Sequence, residues 1–555
     1  MSAQTGSPSG RSFKVRGKDY RNEKIPRTGK PMVEKTRAEL TAALKDCEIL
    51  TVPYRERGYH LSLDVDRRKL LTVAGFFDER NFYLATIICV DYREYLEIVY
   101  FFSHHQFLCR AKVTHKLDPK EPVAPTISSV FDSASWYERE IHEFFGVRFE
   151  GHPNMTYLFL HEGIDAYPLR KEKAPVTEED RALLGSFKPE EGEDTFFVNL
   201  GPQHPSTHGV LRVVLKMDGE YIESAEPVLG YLHRMHEKMA ENRSFLQFLP
   251  NTGRMDYLGA MSFNLGYVTA VERLCDIPVP ARAEYVRVIA TELNRISSHL
   301  LWVGAYLADL GALTPFLYVF DDREQILDIL EGIAGSRLTY CYFRFGGLYN
   351  DVDDNFIGGT KAFIARMRSR FGLYENLVAN NVIFINRTKN IGIIEKERAR
   401  KYGVSGPVLR GAGIPMDIRK TEPYAAYGEM DFDVPTGARG DALDMYHVRV
   451  REMENSLKII EQALKVLPEG PVMMEKAPKK LKPPKGDVYH VVETPRGELG
   501  IYVVSDETDK PWRMKWRVPS FSNLMIFPEL AKGNMLADAV AILGSLDLVI
   551  PEIDR

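Results

Sequence analysis

The 555-residue sequence predicts an α+β chain built from more than one unit. An N-terminal α/β domain precedes a larger domain, in which a central buried helical bundle is flanked by small β-sheets. Three observations carry this reading. The chain is too long for one hydrophobic core and calls for two or three domains. Short strand-like runs gather towards both ends, whereas long patterns of 3-4 spacing fill most of the stretch from about 228 to 400. Between the two units lies KEKAPVTEEDRALLGSFKPEEGEDT, residues 171–195, with eight acidic and four basic residues, two prolines and few large apolar groups. That composition marks a linker.

Residues 1–34 read as an extended basic tail, rich in Gly, Ser and Pro and lacking the apolar core of a signal peptide. The tail is either unstructured or an arm that orders on a partner. From 35 to 170 an α/β domain is expected. RRKLLTVAGFF places Leu70, Val73, Ala74 and Phe77 at helical spacing, and ATIICV, LEIVYFF and FLCRAKVTH read as strands. In the last, Cys109, Ala111 and Val113 alternate with Arg110, Lys112 and Thr114, which predicts one face in and one face out.

The second unit, 196–555, opens with the strands FFVNL and VLRVVLKM. Further on, Val286, Ile289, Leu293, Ile296, Leu300, Val303, Leu307 and Leu310 form the seam of a long, deeply buried helix. Leu300–Phe320 has the length of a membrane span, but Asp309, Pro315 and the upstream periodicity argue for a bundle helix. Asp309 is then a carboxylate in an apolar setting, which must be paired or protonated. Leu443, Tyr446, Val450, Met453, Leu457 and Ile460 mark another helix. The chain ends in strands, DVYHVVET, IYVVSD and WRMKWRV, with PRGELG as a turn.

Composition narrows the function. A net charge of −5 and no basic stripe give no support for nucleic acid as a partner. The GxGxxG and P-loop patterns are absent. The cysteines, Cys47, Cys89, Cys109, Cys275 and Cys341, form no CxxC pair, so this chain is expected to hold no metal or iron–sulfur cluster. GPQHPSTHG, residues 201–209, places His204 and His208 four apart, but its prolines and flanking glycines exclude a helix, so both histidines sit on a loop.

Several longer stretches carry a resemblance. WYEREIHEFFGVRFEGHP (136–153) and YPLRK (167–171) resemble the 30-kDa (C) subunit of respiratory complex I, the proton-pumping NADH–quinone oxidoreductase. GPQHPSTHGVLR (201–212), EPVLGYLHRMHEK (226–238), GRMDYL (253–258), ELNRISSHLL (292–301) and DLGALTPF (309–316) resemble its 49-kDa (D) subunit. RGELGIYVVSD (496–506), PSFSNL (519–524) and GSLDLVIPEIDR (544–555) extend the match to the last residue, so the chain looks like a C/D fusion.

The resemblance implies a second domain like the large subunit of [NiFe] hydrogenases. This sequence departs from that pattern at the nickel cysteines, where Asp256, Gly259, Val549 and Glu552 stand instead, and without thiolates a soft nickel site is lost. REIHEFFG reads closer to membrane-bound hydrogenases than to REVYDLFG of complex I, which keeps a hydrogenase-type or ferredoxin- or F420-linked complex as the alternative, beside a non-catalytic scaffold.

The resemblance further implies a quinone substrate. Its headgroup ligands fall on His208 and Tyr257, with Asp309 as the histidine's partner; His204, Ser206, Thr207, Gly209 and Arg254 belong to the loop or the site. Two donors that also carry protons suit a two-carbonyl headgroup whose full reduction takes up two protons. Read from the residues alone, His208 serves as well to satisfy loop backbone, Tyr257 as a core tyrosine and Asp309 as a helix end before Gly311. Arg234, Arg337 and Arg344 match positions near a partner's terminal iron–sulfur cluster, where buried arginines raise its potential. A histidine of many relatives in that region is replaced here by Leu338 and Thr339.

FMN and iron–sulfur clusters are expected in partner chains. These are a B-type subunit with the terminal cluster, an I-type ferredoxin-like subunit, a G-type subunit and a membrane H-type subunit at the quinone tunnel. The expected location is peripheral, on the cytoplasmic side of the cell inner membrane.

Overall fold

The computed structural model describes residues 29–45, 47–161, 166–172, 196–201, 209–478 and 480–555. His204, Ser206, Thr207 and His208 lie outside the described residues, as do most of the expected tail and linker. Helix α1 (Lys30–Ala43) begins inside the stretch expected to be extended, because Pro31 near its first position pre-sets a helical φ. Its inward face is Val33, Thr36 and Leu40.

A five-stranded sheet follows: β1 (Ile49–Thr51), β2 (Leu61–Asp64), β3 (Phe82–Asp91), β4 (Leu96–His104) and β5 (Arg110–Leu117), in the order β1-β2-β5-β4-β3. Only β2 and β5 pair in parallel. Helix α2 (Leu70–Asp78) buries the four apolar residues its spacing picked out, and α3 (Ala134–Phe145) packs on β3.

The sheet departs from the sequence reading on its second face. Arg110, Lys112 and Thr114 do alternate with the apolar residues of β5, but they are buried, not solvated. The C-terminal part of the chain covers them. Arg110 pairs with Glu422 at 2.9 Å and Lys112 with Asp487 at 2.9 Å. Phe101 stacks on Tyr489 with centroids 4.2 Å apart, and the Tyr83 hydroxyl donates to Glu498 at 2.7 Å. A charged face that buries must be paired residue by residue, and alternation alone does not reveal the partner.

Beyond residue 195, β6 (Phe196–Leu200), β7 (Arg212–Asp218) and β8 (Tyr221–Val228) form an antiparallel sheet. Helices α4 (His236–Asn242), α5 (Phe245–Thr252) and α6 (Ala260–Cys275) lead to the central helix α7 (Ala281–Asp309), which is buried along almost its whole length. Around α7 pack α8 (Leu313–Ala334) and α9 (Ala442–Val466). A second antiparallel sheet, β9 (Gly486–Thr494), β10 (Gly497–Ser505) and β11 (Arg513–Arg517), lies against α6 and the first sheet. The turn expected over PRGELG contracts to Pro495 and Arg496, and Gly497 onward already pairs with β9. Helices α10 (Pro519–Met525), α11 (Leu536–Ser545) and α12 (Ile550–Asp554) close the described chain.

The span-length apolar stretch divides into two helices at Gly311. The amide of Gly311 donates to the Ala308 carbonyl and that of Ala312 to the Leu307 carbonyl, with Gly311 at φ 86°; this is a Schellman end. No helix among the described residues is long and apolar enough to cross a membrane.

Candidate functional site

A cleft of about 400 Å³ opens where four segments meet, lined by Leu232, Arg234, Arg254, Tyr257, Leu338, Thr339 and Pro551. Tyr257 is half-buried in its wall. Burial pushes the phenol above its ordinary pKa, and Asp256 adds to this, while Arg496 and Arg323 oppose it. The hydroxyl is thus kept protonated through the physiological range.

The first unit supports one wall. Glu143 of α3 accepts the backbone amides of Leu158, Phe159 and Leu160, at 3.0–3.1 Å through one oxygen. Phe144 and Phe159 each stack on His233, with centroids 5.3 and 5.4 Å away. Asp554 accepts the amides of Gly230 and Leu232 at 3.1 and 2.7 Å. The segment that carries Arg234 is therefore fixed from both ends of the chain. The charged residues of WYERE have positional roles, and Glu140 ion-pairs with Lys515 and Arg555.

Arg234 donates to the Arg254 carbonyl at 2.6 Å, and Arg254 to the Pro250 carbonyl at 2.7 Å. Both guanidinium groups sit exposed on the rim, not buried as expected, because the cleft opens outward along this side. Partial burial and the charge of Arg254 lower the pKa of Arg234. Gly209 is the described end of the histidine loop. A Cβ there would lie 2.8 Å from Ile550 Cβ and 3.0 Å from Pro551 Cδ, so the chain directly after His208 is pressed against the Pro551 wall.

Other expected site residues lie elsewhere. Asp309 is the last residue of α7, half-buried where the helix ends rather than enclosed within it, and it does not line the cleft. Arg337 faces solvent, paired with Glu324, Asp328 and Glu331 of α8. The Arg344 guanidinium donates to the Cys341 carbonyl at 2.6 Å and sits 5.0 Å from the centroid of the Tyr349 ring. Neither arginine lines the cleft. Thr339 does, with φ 52°, a conformation that β-branched residues rarely adopt.

Sequence reasoning missed the layer behind Tyr257. Arg496, at the tip of the β9–β10 hairpin and fully buried, donates to Asp256 at 2.8 Å and to the Ser298 hydroxyl at 3.1 Å. Its Nε lies 3.6 Å from Asp547, and Arg449 Nε lies 3.6 Å from the same carboxylate. Burial works against the Arg496 charge, yet Asp256, Asp547 and Glu552 hold its pKa above the ordinary value. Asp256 and Glu552 had registered only as lost cysteines; carboxylates at two such positions were the signal for a buried cation between them. Among the described residues no group of three or more His, Cys, Asp or Glu side chains could hold a metal ion, and the five cysteines are free.

Comparison with known proteins defines the class. The family described as "Respiratory-chain NADH dehydrogenase, 49 Kd subunit" matches residues 309–483 and 476–555, and "Respiratory-chain NADH dehydrogenase, 30 Kd subunit" matches residues 63–179. The chain is similar to the D-type subunit of NADH-quinone oxidoreductase from Desulfotalea psychrophila, 60% identical over 363 residues that cover 65% of this chain and 98% of the relative. It is also similar to a C/D-type subunit of NADH-quinone oxidoreductase, the one numbered 2, from Aquifex aeolicus, 38% identical over 569 aligned positions that cover 91% of this chain and 97% of the relative. The chain belongs to the complex I family of fused C/D subunits, with 30-kDa and 49-kDa parts in one polypeptide.

Proposed function

We propose that the chain is a peripheral-arm subunit of a proton-translocating NADH–quinone oxidoreductase, and that its D part binds the quinone headgroup in the cleft at Tyr257. The observation that carries this is the cleft itself. One half-buried phenol stands between apolar walls, Leu232, Leu338 and Pro551, with two cationic groups on the rim. A quinone ring suits the apolar walls, and its oxygen accepts from the phenol. His208 supplies the second donor, and the packing of Gly209 on Pro551 supports that role. Asp309 orients the histidine. His204, Ser206 and Thr207 belong to the same loop.

Two-electron reduction of a quinone takes up two protons, and Tyr257 and His208 deliver them. Arg234 and Arg254, being unmatched by carboxylates on the cleft wall, face the electronegative terminal cluster of a B-type partner. Arg344 lies further back and Arg337 at the surface, so their part is indirect. I-type, G-type and membrane H-type subunits complete the surroundings, FMN stays in the donor-binding partners, and the assembly sits on the cytoplasmic side of the inner membrane. The division at 171–195 separates a 30-kDa-like part that docks and braces from a 49-kDa-like part that reacts.

The test is quinone reduction by assembled complexes carrying Tyr257→Phe, His208→Ala or Asp309→Asn, with reduction of an artificial acceptor upstream as control. All three are expected to lower quinone turnover and keep the upstream activity. The His208→Ala defect grows as pH rises and bulk protons become scarcer. Normal quinone turnover in all three would place the site elsewhere.

A further inference from the structure

Two dipeptides meet behind the cleft. In each, one residue lines the wall and its neighbour lies behind: Tyr257 with Asp256, and Pro551 with Glu552. Glu552 is fully buried. One of its oxygens accepts the Ser520 amide at 2.7 Å, and the other is buried with no hydrogen-bond partner among the described residues.

The charges around it can be counted. Arg496 faces Asp256 at 2.8 Å and Asp547 at 3.6 Å, and Arg449 faces Asp547 at 3.6 Å. Asp256 also accepts the amides of Leu258 and Gly259, each at 2.9 Å. Two arginines match two aspartates, so a charge on Glu552 would be a fifth, uncompensated charge in a dry place. The groups that act on Glu552 are Asp256 beside Tyr257, Arg496 on the hairpin and the uncharged Ser520 of α10. Burial first, and the Asp256 charge second, raise the Glu552 carboxyl to a pKa of about 8, against the pull of Arg496.

We infer that Glu552 is a carboxylic acid held behind the cleft as the proton source that restores the Tyr257 hydroxyl; this rests on the quinone reading above. Once Tyr257 has given its proton to the reduced quinone, a phenolate remains. The O–H bond of Glu552 breaks, its proton is taken up by the phenolate, and a new O–H bond forms at the Tyr257 oxygen. Glu552 becomes a carboxylate facing Arg496 and is recharged from solvent. No electrons move in this step; those that reduce the quinone come from the partner chain. Glu552 touches no substrate and acts through Tyr257.

The experiment uses the assembled complex with Glu552→Gln, which keeps an oxygen for the Ser520 amide but carries no titrating proton. Because Glu552 acts through Tyr257, quinone turnover is expected to fall by at most what Tyr257→Phe costs, roughly 5–30-fold, with upstream acceptor activity unchanged. The wild-type rate falls as pH rises through about 8, the pKa of Glu552, and the variant loses that inflection. Infrared difference spectra taken on quinone reduction show a protonated-carboxyl band in the wild type that Glu552→Gln removes. Wild-type turnover, an unmoved inflection or an unchanged band in the variant each overturns the assignment. If Glu552→Gln does not assemble, Glu552→Asp replaces it: a displaced inflection supports the assignment and an unmoved one overturns it. Tyr257→Phe runs alongside. If it too is normal, the quinone reading fails; if it alone is impaired, only the role of Glu552 fails.

Discussion

Replacing Tyr257 with phenylalanine removes one oxygen and leaves the ring. The ring keeps its place in the wall, so folding and assembly are expected to be unchanged. What is lost is one donor in a cleft whose other walls are largely apolar; of the remaining lining side chains Thr339 alone carries a hydroxyl. An acceptor left without its donor costs about 1–3 kcal/mol when buried. Tyr257 is half-buried and the cleft is open on the side of Arg234 and Arg254, so water replaces part of the bond. The lower part of the range applies, about 1–2 kcal/mol, which is roughly a 5–30-fold lower kcat/KM for quinone. The assay is steady-state quinone reduction by the intact complex at several quinone concentrations, with an upstream acceptor reaction run on the same preparation. An unchanged kcat/KM refutes the reasoning. So does an equal loss of the upstream activity, which would make Tyr257 a structural residue.

Three further outcomes are expected. Gly209→Ala drives a methyl group to 2.8 Å from Ile550 Cβ; it displaces the end of the histidine loop from the Pro551 wall and lowers quinone turnover while sparing the upstream reaction, and normal kinetics count against the loop's role. Glu140→Ala strips Lys515 and Arg555 of a buried partner, which costs about 3–5 kcal/mol and appears as a lower Tm in a thermal scan, whereas Glu150→Ala, whose partner Arg67 is on the surface, leaves the Tm in place. Elemental analysis of the purified chain finds neither nickel nor cluster iron, as the missing thiolate pairs require; stoichiometric metal in that chain refutes it.

The sequence by itself determined the elements and the membership. The 3-4 spacing from Val286 to Leu307 marks α7, and the apolar runs ATIICV and LEIVYFF with the alternation after Cys109 mark three strands of the first sheet. Family motifs run through nearly every segment, and Tyr257, Arg234 and Arg254 do line one cleft. What surrounds a charge was not legible. Arg110 and Lys112 looked like a solvated face, and only the packed chain shows that Glu422 and Asp487, more than 300 positions away, neutralise them. Arg337 shares a family motif with cleft residues, yet three carboxylates of α8 hold it at the surface. Asp309 lay on the right helix, but the αL conformation of Gly311 ends that helix there and leaves the carboxylate half-buried. The layer of Asp256, Arg496, Asp547 and Glu552 draws on three distant segments. Periodicity reports which side of an element is inside; the partner that compensates a buried charge is set by where distant elements come together, and only the tertiary structure decides that.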